Sequence, residues 1–221
     1  MMQSNIFSIF DPSTNFFIPL NWLSTMIIFT FLPFQYWILP SRLMMLWGSL
    51  SIYIHKEFKT LINHSYSNLI ILVTLFIFIM FNNFMGLYPY IFTATSHMSI
   101  CLPLSLSMWS GMMIFSLFNF FNELCTHLTP QGTPLILMPF MVIIESISLL
   151  IRPMTLAVRL TANMIAGHLL MSLIGSAMKS IMMFTLLLIS AQTLLLILEI
   201  AVAIIQSYVF SILLTLYSSE T

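Results

Sequence analysis

Six side chains have both the type and the placement to do chemistry: Glu145, Arg152, Arg159, His168, Glu199 and Gln206. All six lie within two long apolar segments, 134–175 and 180–217. A charged group near the centre of a bilayer costs about 2.5–3.5 kcal/mol even on the most lenient scale, so such residues are functional candidates by default. Their spacing is regular. Glu145, Arg152 and Arg159 follow one another at seven residues, and so do Gln192, Glu199 and Gln206. Seven residues is nearly two helical turns, so each set makes one polar stripe. His168 comes nine residues after Arg159. At about 100° per residue it points to the opposite side of the helix. One helix therefore shows a permanent cation to one side and a titratable ring to the other.

Arginine stays protonated in proteins and cannot relay a proton. Imidazole and carboxyl groups can, so His168 with Glu199 suits a proton relay. Each residue also has a plainer reading. Glu145 with Arg152 reads equally as an ion pair that fixes helix packing. His168 alone reads as a hydrogen-bonded packing histidine, and gains its chemical reading only beside Glu199. Arg159 is different, because its nearest acid within the helix is Glu145, two heptads away.

The elements that must position these groups are membrane helices. The chain has 221 residues, 60% hydrophobic and 5% charged, with a mean hydropathy of +1.05. A soluble domain carries about 25% charged residues, so the solvent here is mostly lipid. The sequence predicts an all-α membrane protein of one domain, 1–221, with about five embedded helices and one surface helix. Segment 16–39 is long enough to span. Segments 67–88 and 98–121 form a hairpin divided at Pro89 and the polar run 93–97. Segments 134–175 and 180–217 are on the order of 55–60 Å if continuous, so they must tilt or break, with Pro139 and Pro153 as candidate bends. In segment 42–63, Leu43, Trp47, Leu50, Ile54, Phe58 and Leu61 step by three or four. That is the pattern of an amphipathic helix lying on the membrane surface, with Trp47 and Phe58 toward lipid or protein.

Arg42, Lys56 and Lys59 place 42–63 on the matrix or cytoplasmic side, with Lys179 as the exception. No Lys or Arg precedes Arg42, so neither a secretory signal nor a transit peptide is expected. The first helix then directs insertion itself, or the chain is made in the organelle that uses it. Net charge is zero, which argues against nucleic acid as a partner. Cys101 and Cys125 read as small hydrophobes. No catalytic residue, metal site or cofactor is expected, and no phosphate-cradling Gly-rich loop is present, so no nucleotide site is expected either.

Residues 156–170 read Leu-Ala-Val-Arg-Leu-Thr-Ala-Asn-Met-Ile-Ala-Gly-His-Leu-Leu. This closely resembles the signature of the a subunits of F-type ATP synthases, in their mitochondrial form. Thr-Pro-Gln-Gly-Thr-Pro at 129–134, Ile-Glu-Ser-Ile-Ser at 144–148 and Leu-Glu-Ile-Ala-Val-Ala-Ile-Ile-Gln-Ser-Tyr-Val at 198–209 add to it. The likeness is dense over 128–217, in register over 67–120, and one of layout over the first 65 residues. It implies a proton-conducting stator subunit of the mitochondrial inner membrane, with two aqueous half-channels. Arg159 would face a rotating ring of c subunits, with Asn163 and Gln206 near it. Glu145, His168 and Glu199 would line the half-channels. Ring, peripheral stalk, other membrane-sector subunits and catalytic head would be other chains. The loop at 119–127 departs from the pattern, with Glu123 where the family is richer in basic residues.

A fixed guanidinium would favour a passing ring carboxylate as the anion, and so release its proton there. The driving force is about 2.3 kcal/mol per proton for each 100 mV. Rival classes fit less well. A haem-carrying subunit needs facing pairs of histidines, but the five His lie singly. A subunit of a respiratory proton-pumping complex typically offers Lys within its spans, and the central spans here have none. A structural scaffold has no use for Arg159 in lipid. If the last two helices form an antiparallel hairpin, Arg159 opposite Gln206 and His168 opposite Glu199 share one register, with the turn centred near residue 183. The Gly175–Lys179 stretch would otherwise suggest a turn near 177. In the preferred register His168 and Glu199 lie within direct or one-water reach and belong to the entry side, about 13 Å from the Arg159 level. Glu145 then lines the exit.

Overall fold

The computed structural model describes residues 6–13, 19–62, 68–88, 90–129, 134, 136–180 and 185–220. Pro89, most of the 129–134 motif and the expected turn centre at 183 lie outside the described residues. Every regular element among the described residues is helical: short 3-10 turns at Ile6–Phe10, Leu20–Ile27 and Ala94–Ser96, and seven α-helices. These are α1 (Ile28–Phe31), α2 (Arg42–Leu61), α3 (Asn68–Gly86), α4 (Met98–Asn119), α5 (Phe121–Leu128), α6 (Met138–Ser180) and α7 (Thr185–Glu220). Four described helices, α3, α4, α6 and α7, are long and apolar enough to cross a membrane.

Segment 16–39, expected as a span, is not one continuous helix. An eight-residue 3-10 stretch runs into the four-residue α1, which ends at Leu32 with ψ 120°. Leu32 precedes Pro33, and the proline ring forces the residue before it out of the helical region. The expected loop at 119–127 is instead largely the helix α5, with Glu123 in its first turn. Cys125 on it is exposed.

α2 starts at Ser41, whose hydroxyl accepts the Met44 N–H, a standard N-cap. Its Ile54 and Phe58 are buried in a core shared with Leu69 and Leu72 of α3 and Phe210 and Leu214 of α7. The Trp47 ring lies 4.9 Å from that of Phe81. α2 thus touches α3 at two levels, through Trp47 and through Ile54 and Phe58.

α7 meets α3 through small residues. Ala203, Ser207, Ser211 and Thr215 are buried at a spacing of four. Small side chains at that spacing let helix backbones approach closely, the usual basis of packing in lipid. Each hydroxyl bonds to a carbonyl of its own helix three residues back, so none is left unsatisfied. Much of the outer surface of α6 and α7 is large and apolar, for example Ile147, Leu150, Leu194 and Ile197, each at least half exposed.

Candidate functional site

α6 is 43 residues long, about 65 Å, and continuous through Pro153. Pro139 sits at its start, where a missing N–H costs nothing. α6 remains helical to Ser180 and α7 is helical from Thr185, so residue 177, the alternative position for the turn, lies within α6. Two contacts fix how the pair lies. The Glu199 carboxylate of α7 fills the space that a Cβ on Gly167 of α6 would take, touching it through Oε1. Further along, the Arg152 guanidinium lies 5.2 Å from the centre of the Tyr217 ring. Both agree with an antiparallel pair in the expected register to within about one turn.

Leu156, Ala157, Leu160, Thr161 and Met164 are buried and make the inner stripe of α6. Arg159 lies about 130° round the helix from the centre of that stripe and is exposed. Among the described residues no carboxylate pairs with it. Asn163, one turn on, is half-buried, and so is Gln206 on α7. Glu145 pairs with Arg152 at 3.8 Å, so the packing reading of these two has a geometric basis. Arg152, the nearer member of that pair, lies seven residues from Arg159, about 10 Å along the axis.

His168 turns the other way. Its Nε2 is buried without a hydrogen-bond partner, and its ring stands edge-on to Phe10 at 6.3 Å. Glu199 Oε2 is likewise buried and unpartnered. The direct His168–Glu199 hydrogen bond that the shared register allowed is therefore not formed. The carboxylate closes on Gly167, one residue short of His168, where α6 has no side chain to keep it off the backbone. Two buried polar atoms at one level, each without a protein partner, make a place where water is strongly favoured.

A second polar group escaped the sequence reading. Both side-chain atoms of Asn83, Thr95 Oγ1, His97 Nε2 and Ser24 Oγ are buried without partners. His97 is stacked on Phe92 at 5.1 Å and packed on Trp22 at 5.3 Å. Thr93 and Met164 both abut Gly86 at the end of α3, which ties this group to α6 one turn before His168. The signal was present as Asn82–Asn83 within an otherwise apolar span.

Comparison with known proteins adds the family. The model of the family described as "ATP synthase A chain" matches residues 18–219. A protein of Locusta migratoria named ATP synthase subunit a is 55% identical, over 99% of both chains. Proteins of the same name from Drosophila melanogaster and Aedes aegypti are 54% and 51% identical over the same shares.

Proposed function

The chain belongs to the ATP synthase A chain family, and from that premise we propose that it is the non-catalytic, proton-conducting stator subunit of the synthase membrane sector, multi-pass in the mitochondrial inner membrane. Membership removes the respiratory-complex, haem-protein and scaffold alternatives. The observation that carries the finer reading is Arg159: a permanent cation, exposed on the outer face of a membrane helix, with no acidic partner among the described residues. In lipid such a cation requires a counter-ion from another chain.

A ring of c subunits supplies that anion as a carboxylate on each moving helix. Beside Arg159 the carboxylate is held ionised, so it reaches the guanidinium only after giving up its proton. The guanidinium passes no proton itself, so it insulates two aqueous half-channels from each other. His168 and Glu199, bridged by water at the Gly167 notch, feed the entry side, since their level lies toward the α6–α7 connection. Glu145 lines the exit side beyond Arg159. Asn163 and Gln206, flanking Arg159, keep its surroundings polar. Peripheral-stalk and other membrane-sector subunits hold this chain against the ring, and nucleotide is bound elsewhere.

The test is purification of the assembled complex carrying Arg159→Gln. The variant is expected to co-purify with a ring of small helical hairpins at wild-type yield and to lose proton-driven ATP synthesis. Retained synthesis, or a chain that never associates with such a ring, would remove the proposed role.

A further inference from the structure

Away from the α6–α7 site, one groove joins an apolar floor to a charged rim. It lies between the second half of α2 and α7 and encloses about 580 Å3. Phe58 and Leu61 line it from α2, Ile212 and Leu216 from α7. The rim carries Tyr53, Lys56, Glu57 and Tyr208. Tyr208 donates its hydroxyl to Glu57 Oε2 at 2.9 Å, and the Tyr53 hydroxyl lies near the same carboxylate. Lys56 is exposed, with no acidic partner among the described residues. Adjacent residues on a helix do not face each other. Lys56 and Glu57 therefore present two separate charges, about 100° apart, and not an ion pair.

We propose that this groove holds a phospholipid with a zwitterionic, primary-ammonium headgroup, its phosphate on Lys56, its ammonium on Glu57 and an acyl chain on the floor. Phosphatidylethanolamine is the lipid of that chemistry. Pockets between membrane helices with a basic rim take phospholipid headgroups, and tyrosines mark the headgroup level. Charge then chooses among headgroups. A doubly anionic headgroup would meet one lysine and be opposed by Glu57. A choline headgroup carries no N–H for the carboxylate. A carboxylate has about four lone-pair sites; the Tyr208 phenol occupies one and holds it in place, leaving room for an ammonium. The floor matches the chain, since the side chains of Leu61, Ile212 and Leu216 offer only carbon. This reading requires the chain to be embedded in a membrane but not that it conduct protons.

The assembled membrane sector would be reconstituted in nanodiscs containing an acyl-diazirine phosphatidylethanolamine, the matching phosphatidylcholine, or the matching cardiolipin. Photolabelled residues would be mapped by mass spectrometry. Labelling at Leu61, Ile212 and Leu216 is expected to be about tenfold stronger with the ethanolamine lipid, the ratio one charge-assisted hydrogen bond supplies. Lys56→Gln and Glu57→Gln should each reduce it. Equal labelling by the choline lipid overturns the proposal. So does stronger labelling by cardiolipin that rises in Glu57→Gln, which would mean an anionic lipid. No label at the groove in an intact complex also overturns it, since another subunit then covers the site. Because Lys56→Gln leaves Glu57 and its two phenols untouched, one variant remains readable if the other weakens α2.

Discussion

Glu199 rests on bare backbone at Gly167, and that single absence of a methyl sets the level of the proposed relay. Gly167→Ala puts a carbon where the carboxylate now lies. Helix α6 should survive, since alanine is the better helix former, while Glu199 is driven off. The expected cost is about 1–3 kcal/mol of overpacking, with a marked fall in proton-driven ATP synthesis. Glu199→Asp, one methylene shorter, should restore part of the activity in the same chain. Equal activity of Gly167→Ala and wild type would show that the notch does not position the carboxylate. At this scale the sequence was informative about identity and direction. The 180° between Arg159 and His168 follows from helix geometry alone, and one is exposed while the other is turned inward. What it did not disclose was the partner of Glu199. A register names facing levels, and which of two adjacent residues receives a side chain depends on local bulk. Asn83 was missed for a related reason: an amide in an apolar run has no charge to flag it, and only burial without a partner makes it notable.

Between elements, the tie from α2 to α7 runs through Glu57, and its chemistry gives a pH dependence. The hydrogen bond from Tyr53, then that from Tyr208, holds the Glu57 carboxyl below its ordinary value of 4.5. A depressed carboxyl stabilises the fold above its unfolded value, and that contribution is lost as pH falls through the folded one. The α2–α7 contact should therefore be constant at neutral pH and loosen only below about pH 4.5. Amide exchange in α2 in detergent would report it: exchange over 53–61 should accelerate on acidification, and the acceleration should vanish in Glu57→Gln. Acceleration already between pH 7 and 5 would contradict the assignment. The helix bounds of α2, α3 and α4 were legible from apolar period and from the uncharged run 60–122. The described part of segment 16–39 is not one continuous helix, a break that length and hydropathy do not register but Pro33 does. A proline acts on the residue before it, so Leu32 turns extended however apolar its neighbours are.

Over the whole molecule, the ties close into one sidedness. Glu57 near the end of α2 reaches Tyr208 on α7, and the Gly167–Glu199 contact lies toward the far end of the α6–α7 pair. Four crossing helices, α3, α4, α6 and α7, bring the chain back to the side on which α3 began. Single-cysteine chains in a background of Cys101→Ser and Cys125→Ser should therefore label Lys56→Cys and Ser218→Cys from one face of sealed vesicles, and Tyr88→Cys from the other. Labelling of Lys56→Cys and Ser218→Cys from opposite faces would break this topology. The central claim is that Arg159 keeps two half-channels apart and that protons cross only on a moving ring. Passive proton conductance of the reconstituted membrane sector, without the catalytic head and with the ring locked to this chain by a chemical cross-link, tests it most directly. The account predicts no conductance for the locked wild type and a clear leak for locked Arg159→Gln. A leak through the locked wild type, or none through the locked variant, would contradict it.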